Sequence, residues 1–110
     1  MAMIIVLTTT SNNNEAEALA EKIVAESLAA CVQILPPMRS VYVWEDKVQH
    51  ETEHLLLIKT LPEKYAALET FIVANHSYSV PEIVAIDAEK VSAGYLSWMN
   101  GVLGLNGVDS

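Results

Sequence analysis

The chain has 110 residues, of which 14 are acidic and 6 basic, and its formal net charge is −8. Nucleic acids and anionic membranes attract basic surfaces, so this charge argues against both as partners. Cys31 is the only cysteine, which excludes an intrachain disulfide and fits a reducing cytoplasm. The early apolar run, Met3–Leu7, is too short for a membrane span or an export signal. We therefore expect one cytoplasmic domain over residues 1–110, with an ordered core over residues 3–104.

The first quarter of the chain predicts a strand followed by a helix. The β-branched run Ile4–Leu7 is typical of a strand that is buried on both faces. Asn12 followed by Glu15 resembles a capping box, and apolar side chains recur at helical spacing from Ala16 to Leu28.

The middle of the chain predicts two strands, the first of which is interrupted by a pair of prolines. Ala30–Leu35 is extended, and the two prolines that follow place it at a sheet edge or a bend. Met38–Glu45 alternates with a period of two, Asp46-Lys47 is a plausible turn, and Glu53–Lys59 returns as the second strand of a long hairpin.

The last third predicts a helix, a strand and a helix. Thr60-Leu61-Pro62-Glu63 is typical of a helix start with a threonine cap, and the helix extends to Asn75. Ile83–Ile86 predicts a short strand, and Ser92 caps an apolar terminal helix. We expect Gly104–Ser110 to be a frayed tail.

This order of elements predicts an α+β fold. Two split βαβ units give the ferredoxin-like βαββαβ arrangement, with a four-stranded antiparallel sheet, a long β-hairpin and an extra C-terminal helix. Helices cover one face of such a sheet, whereas the two hairpin strands are apolar on both faces. The terminal helix and neighbouring subunits must then cover the other face, which predicts an oligomer.

The segment His76–Ile83 carries the densest polar chemistry. It places the imidazole of His76, the phenol of Tyr78 and the carboxylate of Glu82 within eight residues, and Pro81 keeps the backbone between them extended. His76 follows a helix, where imidazolium is favoured by the helix dipole, so either a capping role or a binding role is consistent with its position.

Three further groups of polar side chains have open alternatives. Lys59 ends an apolar strand and either neutralises Glu82, binds an anion or is an ordinary surface lysine. Cys31 is either a small buried apolar residue or a soft-metal ligand that needs partners from elsewhere. A group of carboxylates near the hairpin tip either holds a hard cation loosely or is a solvated surface. These carboxylates are Glu45, Asp46, Glu51 and Glu53.

No motif for nucleophilic catalysis, nucleotide binding or structural zinc occurs in the sequence, which predicts a protein that is not an enzyme. The sequence instead resembles the CutA family of divalent-cation tolerance proteins, over roughly Ile4 to Leu103. Five motifs in order carry the resemblance: Ala29-Ala30-Cys31-Val32, Ser40-Val41-Tyr42-Val43-Trp44-Glu45, Ile58-Lys59-Thr60, His76-Ser77-Tyr78-Ser79-Val80-Pro81-Glu82-Ile83 and Tyr95-Leu96-Ser97-Trp98.

The resemblance implies a PII-like homotrimer whose ferredoxin-like subunits pack through the long hairpin and the terminal helix. It implies a role in the response to divalent metal ions, with copper binding in some members and no required cofactor. The family's polar cluster falls on Cys31, Lys59, His76, Tyr78 and Glu82. Trp44 and Trp98 are expected beside it, near a cleft between subunits.

We accordingly expect His76 to be the metal ligand and the other six residues to be ligand-binding. Two alternatives remain: a PII-like sensor that binds a small anion or metabolite through Lys59 and His76, and a trimeric scaffold for a partner protein.

Overall fold

The computed structural model describes residues 2–104, which form five strands and three α-helices. In chain order these are β1 (Met3–Thr10), α1 (Asn13–Ala25), β2 (Cys31–Ile34), β3 (Met38–Trp44), β4 (Lys47–Thr60), α2 (Tyr65–Asn75), β5 (Val84–Ala88) and α3 (Ala93–Val102). A single 3-10 turn, Pro62–Lys64, precedes α2. The predicted tail, apart from Gly104, lies outside the described residues.

The sheet has the predicted antiparallel arrangement. Its core order is β2-β4-β1-β5, and β3 pairs with β4 alone. The register places Ile5 of β1 between Lys59 of β4 and Ile86 of β5, and Cys31 of β2 on the other side of Lys59. The ferredoxin-like prediction is confirmed.

Strand β4 is twice as long as the sequence pattern predicted. Its 14 residues start at Lys47, directly after a turn at Glu45 and Asp46. Its second half lies in the core sheet, and its first half, as far as Glu53, pairs with β3. We call β3 together with Lys47–Glu53 the hairpin arm. The arm extends beyond the core, and the molecule measures 52 Å along its longest axis against 26 and 23 Å across.

Each face of the sheet carries its own apolar cluster. On the first face, Ile4, Val6, Leu56 and Ile58 of the two central strands pack against α1 and α2. Because side chains alternate along a strand, their neighbours in sequence point to the second face. There α3 packs through Met99 onto one end of the sheet. The prediction that the terminal helix covers part of this face is confirmed.

Two of the predicted helix caps are observed. Asn12 Oδ1 accepts a 2.8 Å hydrogen bond from the Glu15 N–H, and Ser92 Oγ accepts one of 3.3 Å from the Tyr95 N–H. These bonds satisfy backbone donors that have no partner within the helix.

The predicted threonine cap of α2 is wrong. The Thr60 hydroxyl donates to the Leu28 carbonyl over 2.7 Å, and Leu61 precedes the 3-10 turn. Thr60 is still part of β4 and is completely buried, so its hydroxyl satisfies a carbonyl of the neighbouring connection instead of the helix start.

Candidate functional site

His76 ends helix α2 and turns its ring inward. Its side chain is completely buried. Nε2 lies 2.7 Å from the Thr9 carbonyl, and Nδ1 lies 3.0 Å from the backbone nitrogen of Tyr78. A carbonyl only accepts and an amide N–H only donates, so the ring is the neutral tautomer with its proton on Nε2. Both ring nitrogens are therefore in use within the chain.

Glu15 of α1 fixes the loop that follows His76. Its carboxylate accepts hydrogen bonds from the backbone N–H of Ser77 at 2.9 Å and from the Ser77 hydroxyl at 3.0 Å. One carboxylate oxygen also lies 3.6 Å from Nδ1 of His76. The predicted capping box is thus only half formed, because the Asn12 side chain caps α1 while the Glu15 side chain binds the loop.

Tyr78 connects this loop to the base of the hairpin arm. Its hydroxyl donates a 2.8 Å hydrogen bond to Oε2 of Glu53, and its ring centroid lies 4.8 Å from that of His76. Burial raises the pKa of Tyr78 well above 10.0, and the hydrogen bond to the negatively charged Glu53 raises it further. The phenol therefore stays protonated at every physiological pH and remains the hydrogen-bond donor to Glu53.

A cleft of about 570 Å³ opens beside Tyr78, between the hairpin arm and the loop before β5. We call it the hairpin cleft. Its lining includes two carboxylates and three aromatic rings. These residues are Tyr42, Trp44, Glu53, Tyr78 and Glu82, with Thr9, Ser40 and Ser79 among the smaller ones.

A second group of the predicted residues lies at the far end of the sheet. The Lys59 ammonium lies 5.6 Å from the centroid of the Tyr95 ring, and that ring lies 5.5 Å from Trp98. Cys31, half-buried on β2, is the backbone partner of Lys59. Cation–π attraction to Tyr95 holds the ammonium on the second face of the sheet. We call these four residues the Lys59 cluster.

The seven predicted site residues therefore fall into two places in one chain. Trp44, Tyr78 and Glu82 line the hairpin cleft, with His76 buried behind Tyr78. Cys31, Lys59 and Trp98 belong to the Lys59 cluster. Lys59 follows Glu53 by six positions along β4, a distance of about 20 Å. Lys59 forms no ion pair with Glu82 anywhere in residues 2–104, so the predicted neutralisation does not occur within the chain.

Sequence reasoning missed four of the residues that shape these places: Glu15, Tyr42, Glu53 and Tyr95. Glu53 was grouped with the carboxylates of the hairpin tip, yet it stands at the base of the arm, opposite Met38. The signal was available, because Glu53 continues the alternation of Leu55, Leu57 and Lys59 along β4. The interaction of Glu15 with Ser77 joins residues 62 positions apart and leaves no local pattern.

No preformed metal centre is present in the described part of the chain, where no three His, Cys, Asp or Glu side chains are grouped to hold one ion. No helix within residues 2–104 is long and apolar enough to cross a membrane. The hairpin cleft instead combines hydrogen-bonding oxygens with aromatic surface, which is typical of a small-molecule site.

The fold of this chain is similar to that of a class of solved structures. The CutA of Xylella fastidiosa has a TM-score of 0.90 and 33% identity, covering 94% of this chain and 99% of its own. The rice CutA1 structure has a TM-score of 0.88 and 42% identity, covering 91% and 92%. A structure from Archaeoglobus fulgidus, described as a periplasmic divalent cation tolerance protein CutA, has a TM-score of 0.89 and 34% identity, covering 92% and 98%.

The sequence agrees with the structural comparison. Residues 4–102 match the family described as CutA1 divalent ion tolerance protein, and the chain belongs to that family. The chloroplastic CutA 1 of rice is 44% identical over 96 residues, which are 87% of this chain and 54% of that protein. The divalent-cation tolerance protein CutA of Yersinia pestis is 39% identical over 100 residues, which are 91% of this chain and 84% of that protein. The chain thus spans about half the length of the curated plant relatives it matches.

Proposed function

We propose that this chain forms a cytoplasmic homotrimer that acts in the response to divalent cations without catalysing a reaction. The observation that carries the proposal is the apolar surface of the hairpin arm. Val41, Val43 and Val48 are each more than 60% exposed, and Trp44 is half exposed. An isolated two-stranded hairpin is marginally stable in water, so an arm of this composition needs a partner surface.

The second face of the sheet supplies a complementary surface. Val84 and Ile86 of the edge strand β5 and Trp98 of α3 are all about half exposed. A closed ring of identical subunits buries both surfaces on every copy, because each subunit contacts one neighbour through its arm and the other neighbour through its sheet. In a ring, the arm of one copy reaches the sheet of the next, and this arrangement favours contact between one copy's hairpin cleft and another's Lys59 cluster.

Sedimentation equilibrium tests the assembly. We expect a mass three times the 12.0 kDa of one chain. Replacing Val43 on the arm by Asp should dissociate it, because a charge cannot be buried unpaired. Val73→Asp is the matched control, since Val73 is also exposed but lies on α2, away from the arm. A wild-type monomer, or equal effects of both substitutions, would contradict the trimer.

Copper binding through His76 is the specific form of the metal proposal. Neutral imidazole is a good Cu²⁺ ligand, and the structure holds His76 neutral. Nδ1 of His76 would hold the copper in place of the hydrogen bond from Tyr78, and the Glu15 carboxylate, 3.6 Å from Nδ1, would supply an oxygen ligand. Opening the Tyr78 loop is therefore a necessary step of metal uptake.

Calorimetric titration of Cu²⁺ and Zn²⁺ tests this site. We expect one saturable Cu²⁺ site per chain that is lost in His76→Ala and retained in His50→Ala, whose imidazole is exposed on the hairpin arm. Protons compete for the ligand, so the affinity should fall in acid. Binding that is unchanged in His76→Ala would refute the His76 site.

A small-anion sensor is the second candidate, and the Lys59 ammonium favours it. Lys59 is half-buried and has no carboxylate within ion-pair distance among residues 2–104. Inorganic phosphate is a suitable probe. Lys59→Ala should abolish phosphate binding and spare Cu²⁺, whereas Lys47→Ala, at the exposed end of the arm, should change neither.

A further inference from the structure

Glu53 is a buried acid without a cationic partner in its own chain. The residue is 8% exposed, and within residues 2–104 its side chain has one hydrogen bond, which Tyr78 donates to Oε2. No lysine, arginine or histidine of the same range forms an ion pair with it. Glutamate is rarely buried to this degree without a paired charge, because one hydrogen bond offsets only part of the lost hydration. Oε1, on the side of the hairpin cleft, is where a cation is needed.

Lys59 is the complementary case. Its side chain is half-buried, and no carboxylate in the described part of the chain lies within ion-pair distance of the ammonium. The Tyr95 ring, whose centroid lies 5.6 Å from Nζ, attracts the charge through its face. An aromatic face is a weak substitute for an oxygen acceptor, so the N–H donors of the ammonium still need one. The chain thus holds a buried acid and a half-buried base, each without an opposite charge.

The two charges cannot meet within one chain. Both lie on β4, six positions and about 20 Å apart along an extended strand, whereas an ion pair requires about 4 Å. Side chains alternate between the two sides of a strand, so this even separation places Glu53 and Lys59 on the same side of β4. The strand therefore presents an acid at the base of the arm and a base beside α3, both available to other copies of the chain.

A ring of subunits supplies the missing partners. Each copy in a ring contacts one neighbour through its arm and the other through its sheet. Glu53 lines the hairpin cleft at the base of the arm, and Lys59 lies on the sheet next to Tyr95 of α3. The contact that buries the exposed valines of the arm can thus bring the acid of one copy to the base of the next. In a closed ring every such acid and every such base is paired once.

We propose that the Lys59 ammonium of one copy enters the hairpin cleft of its neighbour and pairs there with Glu53. This pair rests on the trimer proposed above and specifies the contact at each of its interfaces. Glu53 then accepts from Tyr78 of its own chain at Oε2 and from the neighbour's Lys59 at Oε1, so both carboxylate oxygens have donors. The same carboxylate competes with a free anion for Lys59.

Subunit exchange between unlabelled and isotope-labelled trimers tests the pair, because exchange requires the interfaces to open. Native mass spectrometry follows the appearance of mixed trimers. Glu53→Gln removes the charge and keeps an acceptor for Tyr78, and Lys59→Met keeps an unbranched side chain beside Tyr95. Each single substitution leaves one charge buried and unpaired at the interface, so we expect exchange to become about tenfold faster or more.

The double variant is the decisive comparison. Glu53→Gln together with Lys59→Met removes both charges, so neither remains unpaired. We expect its trimers to exchange no faster than those of either single variant, whereas independent effects would multiply. Glu82→Gln, at the other carboxylate of the cleft, is the matched control, and its effect should multiply with that of Lys59→Met.

The outcomes separate the pair from the trimer itself. A wild-type protein that is monomeric in native mass spectrometry overturns both proposals. Wild-type trimers with multiplying effects of Glu53→Gln and Lys59→Met refute the pair and leave the trimer standing, as does coupling of Lys59 to Glu82 in place of Glu53. Loss of the trimer in either single variant, with recovery in the double variant, is the strongest form of the expected result.

Discussion

The hydroxyl of Tyr78 donates a 2.8 Å hydrogen bond to the buried carboxylate of Glu53. This bond joins the loop after α2 to the base of the hairpin arm, two segments that are 25 residues apart in sequence. It also explains how the carboxylate is tolerated with so little exposure, because a charge-assisted hydrogen bond is about twice as strong as a neutral one. The bond therefore couples the position of the loop to that of the hairpin arm.

Removing the Tyr78 hydroxyl should destabilise the protein. In Tyr78→Phe, Glu53 loses its donor inside the fold, and we expect the free energy of unfolding to fall by about 1–3 kcal/mol. Urea denaturation at a fixed protein concentration measures this change. Tyr65→Phe, at another half-buried tyrosine, is the control and should cost less than Tyr78→Phe. Equal costs would contradict the importance of the Glu53 bond.

The same bond predicts an alkaline limit to stability. The pKa of Tyr78 is raised above 10.0 by burial and by Glu53, so the folded state favours the protonated phenol. Its contribution is complete below about pH 10 and is lost as the pH rises towards the folded-state pKa. The stability difference between the wild type and Tyr78→Phe should therefore narrow above about pH 10 in urea denaturation. A difference that stays constant at higher pH would show that the two states have the same pKa.

The Glu15 side chain should stabilise the loop that follows α2 but not helix α1, to which it belongs. In Glu15→Ala the two hydrogen bonds to Ser77 are lost, whereas the cap from Asn12 to the backbone of residue 15 is kept. We expect faster hydrogen exchange at the amides of Ser77 and Tyr78, with little change along α1. Glu17→Ala, an exposed position on the same helix, should leave the loop amides protected. Faster exchange along the whole of α1 would instead indicate loss of the helix.

The turn of the hairpin arm carries backbone strain that glycine should relieve. Glu45 and Asp46 have φ values of 51° and 64°, in the left-handed region of the type I′ turn that connects two-residue hairpins. Asp46→Gly should raise the free energy of unfolding by about 0.5 kcal/mol, because glycine adopts this φ without steric cost. Asp46→Val, with a β-branched side chain, should lower it. Thermal or urea unfolding of the two variants tests the sign of each effect.

Patterns that depend on neighbouring residues predicted most of this fold. The period-two strands, the helical repeats and the caps at Asn12 and Ser92 are all local, and the structure reproduces them. The threonine cap failed because Thr60 finds a partner, the Leu28 carbonyl, that no local pattern could reveal. The start of β4 was missed because its polar half looks like a loop in sequence, although pairing with β3 makes it a strand.

The candidate site was harder to predict for the same reason. The sequence indicated Tyr78 and Glu82, which are close together in the chain and both line the hairpin cleft. Their partner Glu53 comes from another strand, and its burial depends on how the arm leaves the sheet. Lys59 and Glu82 have opposite charges and seemed a natural pair, yet β4 carries Lys59 to the far end of the sheet.

The position of β1 between β4 and β5 has a consequence for how the protein folds. Ile5 has backbone neighbours at Lys59 and Ile86, so β1 acquires both of its neighbouring strands only after the chain has been synthesised as far as β5. Closing loops of that length is slow, and proteins dominated by such contacts fold in about milliseconds to seconds. Until then the apolar strand β1 remains exposed. We therefore expect aggregation of the nascent chain to compete with folding.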